Sequence, residues 1–330
     1  MNQKIKTIPL IGYSNRLSVR PGEVISFKVS SESKSNFNAS LFRSFSSDPN
    51  PSGQGINEEK ADQFFSPKSF KSRKQDHFPG SYAISSKELK FSTNNNFKID
   101  VNFFNTLKNN SIQTLFNVDC LSIYISKSFK ISCRFYDQII QLPKIIKIRN
   151  WYKIELEFNS LEKTLTLKQT DIKNSSLEFK QKININKIPK FVTGKVFISA
   201  EMAEKNVSNF FNGKIENPSI LIAKKRDIFK SLVRWDFSKS IPSSVISDLS
   251  KNKINLNIIN FPTRGVTGSK WDGSEMSWKH CPDHYTAIHF HEDDIYDFEW
   301  KTDFEFKVPK EMPSGIFVMR LVCGKYEDNI

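Results

Sequence analysis

Apolar residues in this chain return at every second position, in short bursts. In FKIDVNFF, Phe97, Ile99, Val101 and Phe103 fall on one side of an extended backbone, while Lys98, Asp100 and Asn102 fall on the other. FKISCRFYD repeats the pattern with Phe129, Ile131, Cys133 and Phe135, and RPGEVISFKVSS does so with Ile25, Phe27 and Val29 after a Pro21-Gly22 turn. Successive side chains of a strand point to opposite faces, so this period marks half-buried strands. WYKIELEFN, TLTLKQT and GKVFISAE extend the series, and ELEFNSLEKTLTLKQ reads as a hairpin with Asn159 to Lys163 at its tip. No long stretch carries a helical period. The best helical candidates, 57–65 and 224–231, are short. The fold class is all-β.

Breakers divide the chain. Residues 46–80 are rich in Ser, Pro, Gly and charge and read as a long, mostly irregular crossing. Strands then recur at sandwich-like spacing to about Ala223. A second irregular region, 238–280, precedes a last strand pair, in which Phe304 and Phe306 alternate, Pro309 to Gly315 turn, and Phe317, Met319 and Leu321 alternate again. The two ends, RLSVRPGEVISFKVSSE and FEFKVPKEMPSGIFVMRL, both resemble strands of small immunoglobulin-like sandwiches. Neither end alone has strands enough to close a core. They are expected to form one domain with a sandwich inserted between its halves, since chain ends commonly lie close together. The expected division is 1–80, the first half of the small domain and the long loop; 81–228, the sandwich; and 229–330, a connecting segment and the returning strands.

The chain's net charge of +14 invites a nucleic-acid reading. The lysines are spread along it, however, with no arginine-rich stripe and no recognition-helix pattern. The sign also reverses locally: Trp271 to Glu305 holds ten Asp/Glu against two Lys. No nucleic-acid partner is expected. No run of about 18 apolar residues could span a membrane as a helix, and the N-terminus lacks a signal-peptide core, so a cytoplasmic location is expected. Cys120, Cys133, Cys281 and Cys323 form no CxxC pair and no disulfide framework.

The most chemically loaded stretch is HCPDHYTAIHFHEDD, His280 to Asp294, with four of the five histidines. His289 and His291 are two apart in a strand-like run and share a face. His280 and His284 would do so only in a helix, which Pro282 opposes. Two imidazoles and a carboxylate can bind zinc or iron, which makes His284, His289, His291 and Asp293 weak metal candidates. The alternative is that carboxylates and backbone hydrogen-bond the imidazoles and position a loop. TRGVTGSKWDG, Thr263 to Gly273, lacks P-loop spacing and reads as tight turns near Gly265, Gly268 and Gly273. No GxSxG elbow is present.

PLIGYSNRLSVRPGEVISFKVSS, SRKQDHFPGSYAI, FNGKIENPSIL, FPTRGVTGSKWDG and HYTAIHFHEDDIYDFEWKTDFEFKVPKEMPSGIFVMRL together resemble the N-terminal, non-catalytic half of the large (beta) subunit of N,N-dimethylformamidase. FNGKIENP also resembles the closing strands of laminin-G/concanavalin-like sandwiches. The resemblance implies a laminin-G-like β-sandwich inserted into the smaller immunoglobulin-like domain. It further implies an iron amidohydrolase that hydrolyses the C–N bond of N,N-dimethylformamide, with one mononuclear ferric ion held by two tyrosines and a glutamate. The metal would polarise the carbonyl or activate water.

The implied ligands and catalytic residues lie in a C-terminal domain expected beyond Ile330. None of Tyr285, Tyr296 or Tyr326 falls on the family's ligand motifs, so no catalytic or cofactor-binding residue is carried over. Expected partners are that catalytic domain, a small subunit and further copies of the chain, with His280, His284, His289, His291, Asp293 and Asp294 at a domain junction. Two other readings remain: a stand-alone carbohydrate- or surface-binding module, and a metallo-hydrolase using His280 to Asp294.

Overall fold

Alternation in the sequence becomes antiparallel ladders in a computed structural model, which describes residues 8–203, 206–223 and 228–330. The protein is all-β. Among the described residues the one helical element is a 3-10 turn, Pro282–His284. The chain divides into two compact units, one from residues 1–78 and 297–330, the other from 79–296.

The first unit packs two sheets. Leu10–Ser14, Val24–Ser31 and Phe304–Lys307 form one, in that order. Tyr326–Asn329, Ile316–Cys323, Phe37–Ser47 and Ile56–Lys60 form the other, where Lys68–Phe70 also pairs with Phe37–Ser47. Each sheet therefore mixes strands from both chain ends. Their apolar faces meet in a core that includes Phe27, Val29, Phe37, Leu41, Phe304 and Met319.

Two sequence expectations are corrected in this unit. The last two long strands are not partners: Phe304–Lys307 pairs with Val24–Ser31, and Ile316–Cys323 pairs with Phe37–Ser47. Their connection holds two prolines and buries Met312, so it crosses between sheets instead of folding back as a hairpin. The helical candidate at 57–65 is instead the strand Ile56–Lys60 followed by turns. Pairing with Phe37–Ser47 overrides the helix propensity of its Glu and Lys residues. In the other candidate, residues 224–227 lie outside the described residues, and Lys230–Arg234 is a strand.

The acidic segment also finds its partners here. Asp303 is buried beside the Arg73 guanidinium at 2.9 Å and accepts the Val29 N–H at 2.7 Å. Asp297 accepts the Tyr13 hydroxyl at 2.6 Å and lies 3.6 Å from Lys28, contacts that hold its carboxyl below the ordinary range.

The second unit is a two-sheet sandwich. One sheet runs in the order Gln138–Ile145, Lys130–Phe135, Leu121–Ile125, Gln113–Val118, Val196–Ile198, Tyr82–Ser85, Leu256–Ile259 and Val245–Ile246. The other runs Glu178–Asn184, Thr164–Asp171, Trp151–Asn159, Asn96–Asn105, Gly213–Ala223, Ala287–Phe290 and Thr263–Val266, with Lys230–Arg234 also pairing with Gly213–Ala223. The hairpin at 155–169 is present, closed by the pair Asn159–Thr164. Strands after residue 228 join both sheets, and three of them lie in the region 238–280 that reads as irregular in the sequence. Between the sheets the alternating residues form one core, with Phe97, Ile99, Val101 and Phe103 wholly buried. Cys133 sits in it, and burial pushes its thiol pKa up.

Candidate functional site

The strand Ala287–Phe290 lies between Gly213–Ala223 and Thr263–Val266, which sets the histidines' surroundings. Ile288 and Phe290 enter the core, so His289 and His291 turn to the opposite face, their rings 4.1 Å apart. His291 Nδ1 lies 3.2 Å from Asp294 Oδ2. The same carboxylate accepts the Ser81 hydroxyl at 2.6 Å, and Ser81 Oγ accepts the His291 backbone N–H at 3.0 Å.

His289 is opposite Lys214 in the ladder. Its Nε2 is buried without a hydrogen-bond partner. Burial, then the charges of His291 and Lys214, push its pKa down to about 4, so the imidazole is neutral at physiological pH. Lys214 donates to Thr267 Oγ1 at 2.8 Å and to its carbonyl at 3.2 Å, and burial lowers its pKa.

The other candidates are not drawn into this group. His280 is exposed and lies 3.2 Å from Glu275 Oε2. His284 is 3.7 Å from Asp272 Oδ1, beyond hydrogen-bonding distance. Asp293 is exposed. The histidines therefore make three separate contacts, with Glu275, Asp272 and Asp294, and His284 makes its contact from within the 3-10 turn.

A carboxylate outside the stretch organises its surroundings. Glu216 is buried on the outer face of its strand. It accepts hydrogen bonds from Asn102 Nδ2 at 3.0 Å, the Ser269 N–H at 2.9 Å, Thr286 Oγ1 at 2.7 Å and the Ser269 hydroxyl. These bonds fasten the loop after Thr263–Val266 against the sheet. Gly268 is required by close approach, because a Cβ there would collide with Thr286 Oγ1 and Glu216 Oε2. Gly265 has φ +66° and makes the bulge between the pairs Thr263–His289 and Val266–Ala287. No spacing rule singles out Glu216. Its one signal is a charge between core residues in GKIENP, which alternation assigns to solvent.

Among the described residues no group of three or more His, Cys, Asp or Glu side chains is placed to hold a metal ion. Tyr285 is buried and its hydroxyl donates to the Glu275 carbonyl at 2.8 Å. Tyr296 is exposed and stacks on Phe261 at 4.4 Å. Tyr285 thus gives its hydroxyl to a backbone carbonyl and not to a carboxylate, so it does not fit a tyrosinate–carboxylate iron shell.

Two of the segments that Glu216 joins, those of Ser269 and Thr286, lie within a family match. Residues 263–330 match the family described as N,N-dimethylformamidase beta subunit-like, C-terminal. The beta subunit from Paracoccus aminophilus is 26% identical over 99% of this chain and 49% of its own length. The chain resembles N,N-dimethylformamidase beta subunits along nearly its whole length. The corresponding Alcaligenes sp. subunit is also 26% identical, over 98% of this chain and 48% of its own length.

The chain thus spans about half the length of the curated relatives it matches. The dimethylformamidase match takes in the Glu216-held loop, the histidine stretch and the returning strands of the first unit. Among solved structures, the CBM40 of Ruminococcus gnavus IT-sialidase aligns with 41% of this chain and 90% of its own, at 14% identity and a TM-score of 0.33.

Proposed function

We propose that this chain is the β-rich, non-catalytic region of a dimethylformamidase-like amide hydrolase, an enzyme that splits formamides into amine and formate in the cytoplasm. The carrying observation is similarity to a dimethylformamidase beta subunit over 99% of this chain and 49% of that subunit's own length. In this reading the mononuclear iron and its ligands belong to residues outside these 330, and when bound the metal supplies Lewis-acid activation of the amide. The chain's own residues fasten loops and strands. Glu216 holds the 267–269 turn, and the Ser81–Asp294–His291 group fixes the strand that follows it. Relatives named as beta subunits support a multi-subunit assembly, in which this chain meets a smaller subunit and further copies of itself.

The test is an assay for dimethylamine release from dimethylformamide by the purified chain with ferric iron supplied. No turnover is expected, and turnover by the chain alone would overturn the reading.

A further inference from the structure

Three loops meet at one end of the second unit: the turn at 93–95, the hairpin tip at 160–163 and the segment 185–190. Between them is a hollow of ≈ 480 Å³. Its frame is fixed by hydrogen bonds. Thr93 donates from its N–H to the Lys190 carbonyl and from its hydroxyl to the Pro189 carbonyl, tying the first loop to the third. The Ile185 N–H donates to the Lys163 carbonyl at 2.8 Å, tying the third to the second. Ser160 donates from both N–H and hydroxyl to Asn96 Oδ1 at 2.8 Å.

The charged groups lining this frame are of one sign, beside the apolar Leu161 and Ile188. Lys163 and Lys190 line the hollow, and no Asp or Glu does. The nearest acidic residue in sequence, Glu162, pairs with Lys182 at 2.6 Å. Neither Lys163 nor Lys190 is in an ion pair among the described residues. Asn94 and Asn186 also line it. Lys163 holds a left-handed backbone, φ +52°, a conformation that favours glycine or asparagine. Two ammonium groups without an ion-pair partner, one of them 5.8 Å from the Phe191 ring centroid, with amide donors beside them and no carboxylate, complement an oxyanion. The volume is that of a small-molecule site.

We propose that this hollow binds a small oxyanion ligand, a phosphate or a carboxylate on a sugar-sized body, with Lys163 and Lys190 as its charge partners. The test is calorimetric titration of the whole chain at low salt with glucose 6-phosphate, glucuronate and uncharged glucose. Saturable binding of at least one charged sugar is expected, and none of glucose. Which charged sugar binds identifies the anion.

Lys163→Gln and Lys190→Gln should each weaken binding about tenfold with unchanged thermal unfolding, as expected for one charge-assisted contact. Lys180→Gln, on the strand Glu178–Asn184, should leave it unchanged. Failure of both charged sugars, equal binding of glucose, or binding that survives the two substitutions together would overturn the assignment.

Discussion

Phe27 and Phe304 face each other across one ladder, their rings stacked 4.8 Å apart and 15° from parallel, although they come from opposite ends of the chain. Phe304 also stacks on Phe70 at 4.4 Å and lies 6.0 Å from Phe65. Phe304→Ala should therefore cost about 3–5 kcal/mol of stability. Urea titration of the variant measures it, and a loss under about 1 kcal/mol would mean the ring anchors little.

Both sheets of the first unit contain C-terminal strands, whereas the large core of the second unit draws only on residues between 79 and 296. Residues 79–296 expressed alone should unfold cooperatively. Residues 1–78 alone should show no cooperative transition. Circular dichroism with heating distinguishes the two behaviours.

Removing the Glu216 carboxylate strands donors from Asn102, Ser269 and Thr286. Glu216→Ala should cost roughly 3 kcal/mol, since buried donors lose their acceptor. Hydrogen exchange of the Ser269 amide should accelerate in the variant while amides in the Asn96–Asn105 strand stay protected.

The His289 pKa lies near 4 in the folded chain, below its ordinary value of 6.5. A depressed imidazole pKa means the unfolded chain takes up the proton first. The folded state is then fully favoured above about pH 6.5 and loses stability as pH falls towards 4. With the ring partly exposed, the loss is about 2 kcal/mol. His289→Gln should flatten this slope, and an NMR titration midpoint near 6.5 for His289 would contradict the burial argument.

Burial pushes the Cys120 thiol up to about 11, and Cys133 and Cys323 are enclosed. Iodoacetamide at pH 8 should leave Cys133 and Cys323 unmodified in the native chain and reach all four thiols in guanidinium. Mass spectrometry of tryptic peptides reads this directly.

Much of the architecture was legible in the sequence, for a physical reason. Alternation records which face of a strand is apolar, so Phe97 to Phe103 and the hairpin at 155–169 could be read without coordinates. It does not record which strand lies alongside. The segments around Phe304 and Met319 therefore read as a pair, yet they join different sheets. Ile56–Lys60 hid behind helix-forming residues because an edge strand needs only one partner.

The histidine stretch shows the same limit. The shared face of His289 and His291 follows from spacing. The acids beside His280 and His284 are Glu275 and Asp272, which precede the stretch. Glu216 was illegible because its donors come from separate strands and loops.

The discontinuous first unit has a consequence for synthesis. Leu10–Ser14, Val24–Ser31 and Phe37–Ser47 leave the ribosome early, but Phe304–Lys307 and Ile316–Cys323 emerge only after the whole of 79–296. At ~5–20 residues per second that interval is roughly 10–40 s. For its duration the early strands carry Phe27, Phe37 and Leu41 with open edges, while the inserted unit already has all it needs to fold. Order of birth thus leaves the beginning of the chain waiting on its end, with the open edges of Val24–Ser31 and Phe37–Ser47 unpaired until the last strands emerge.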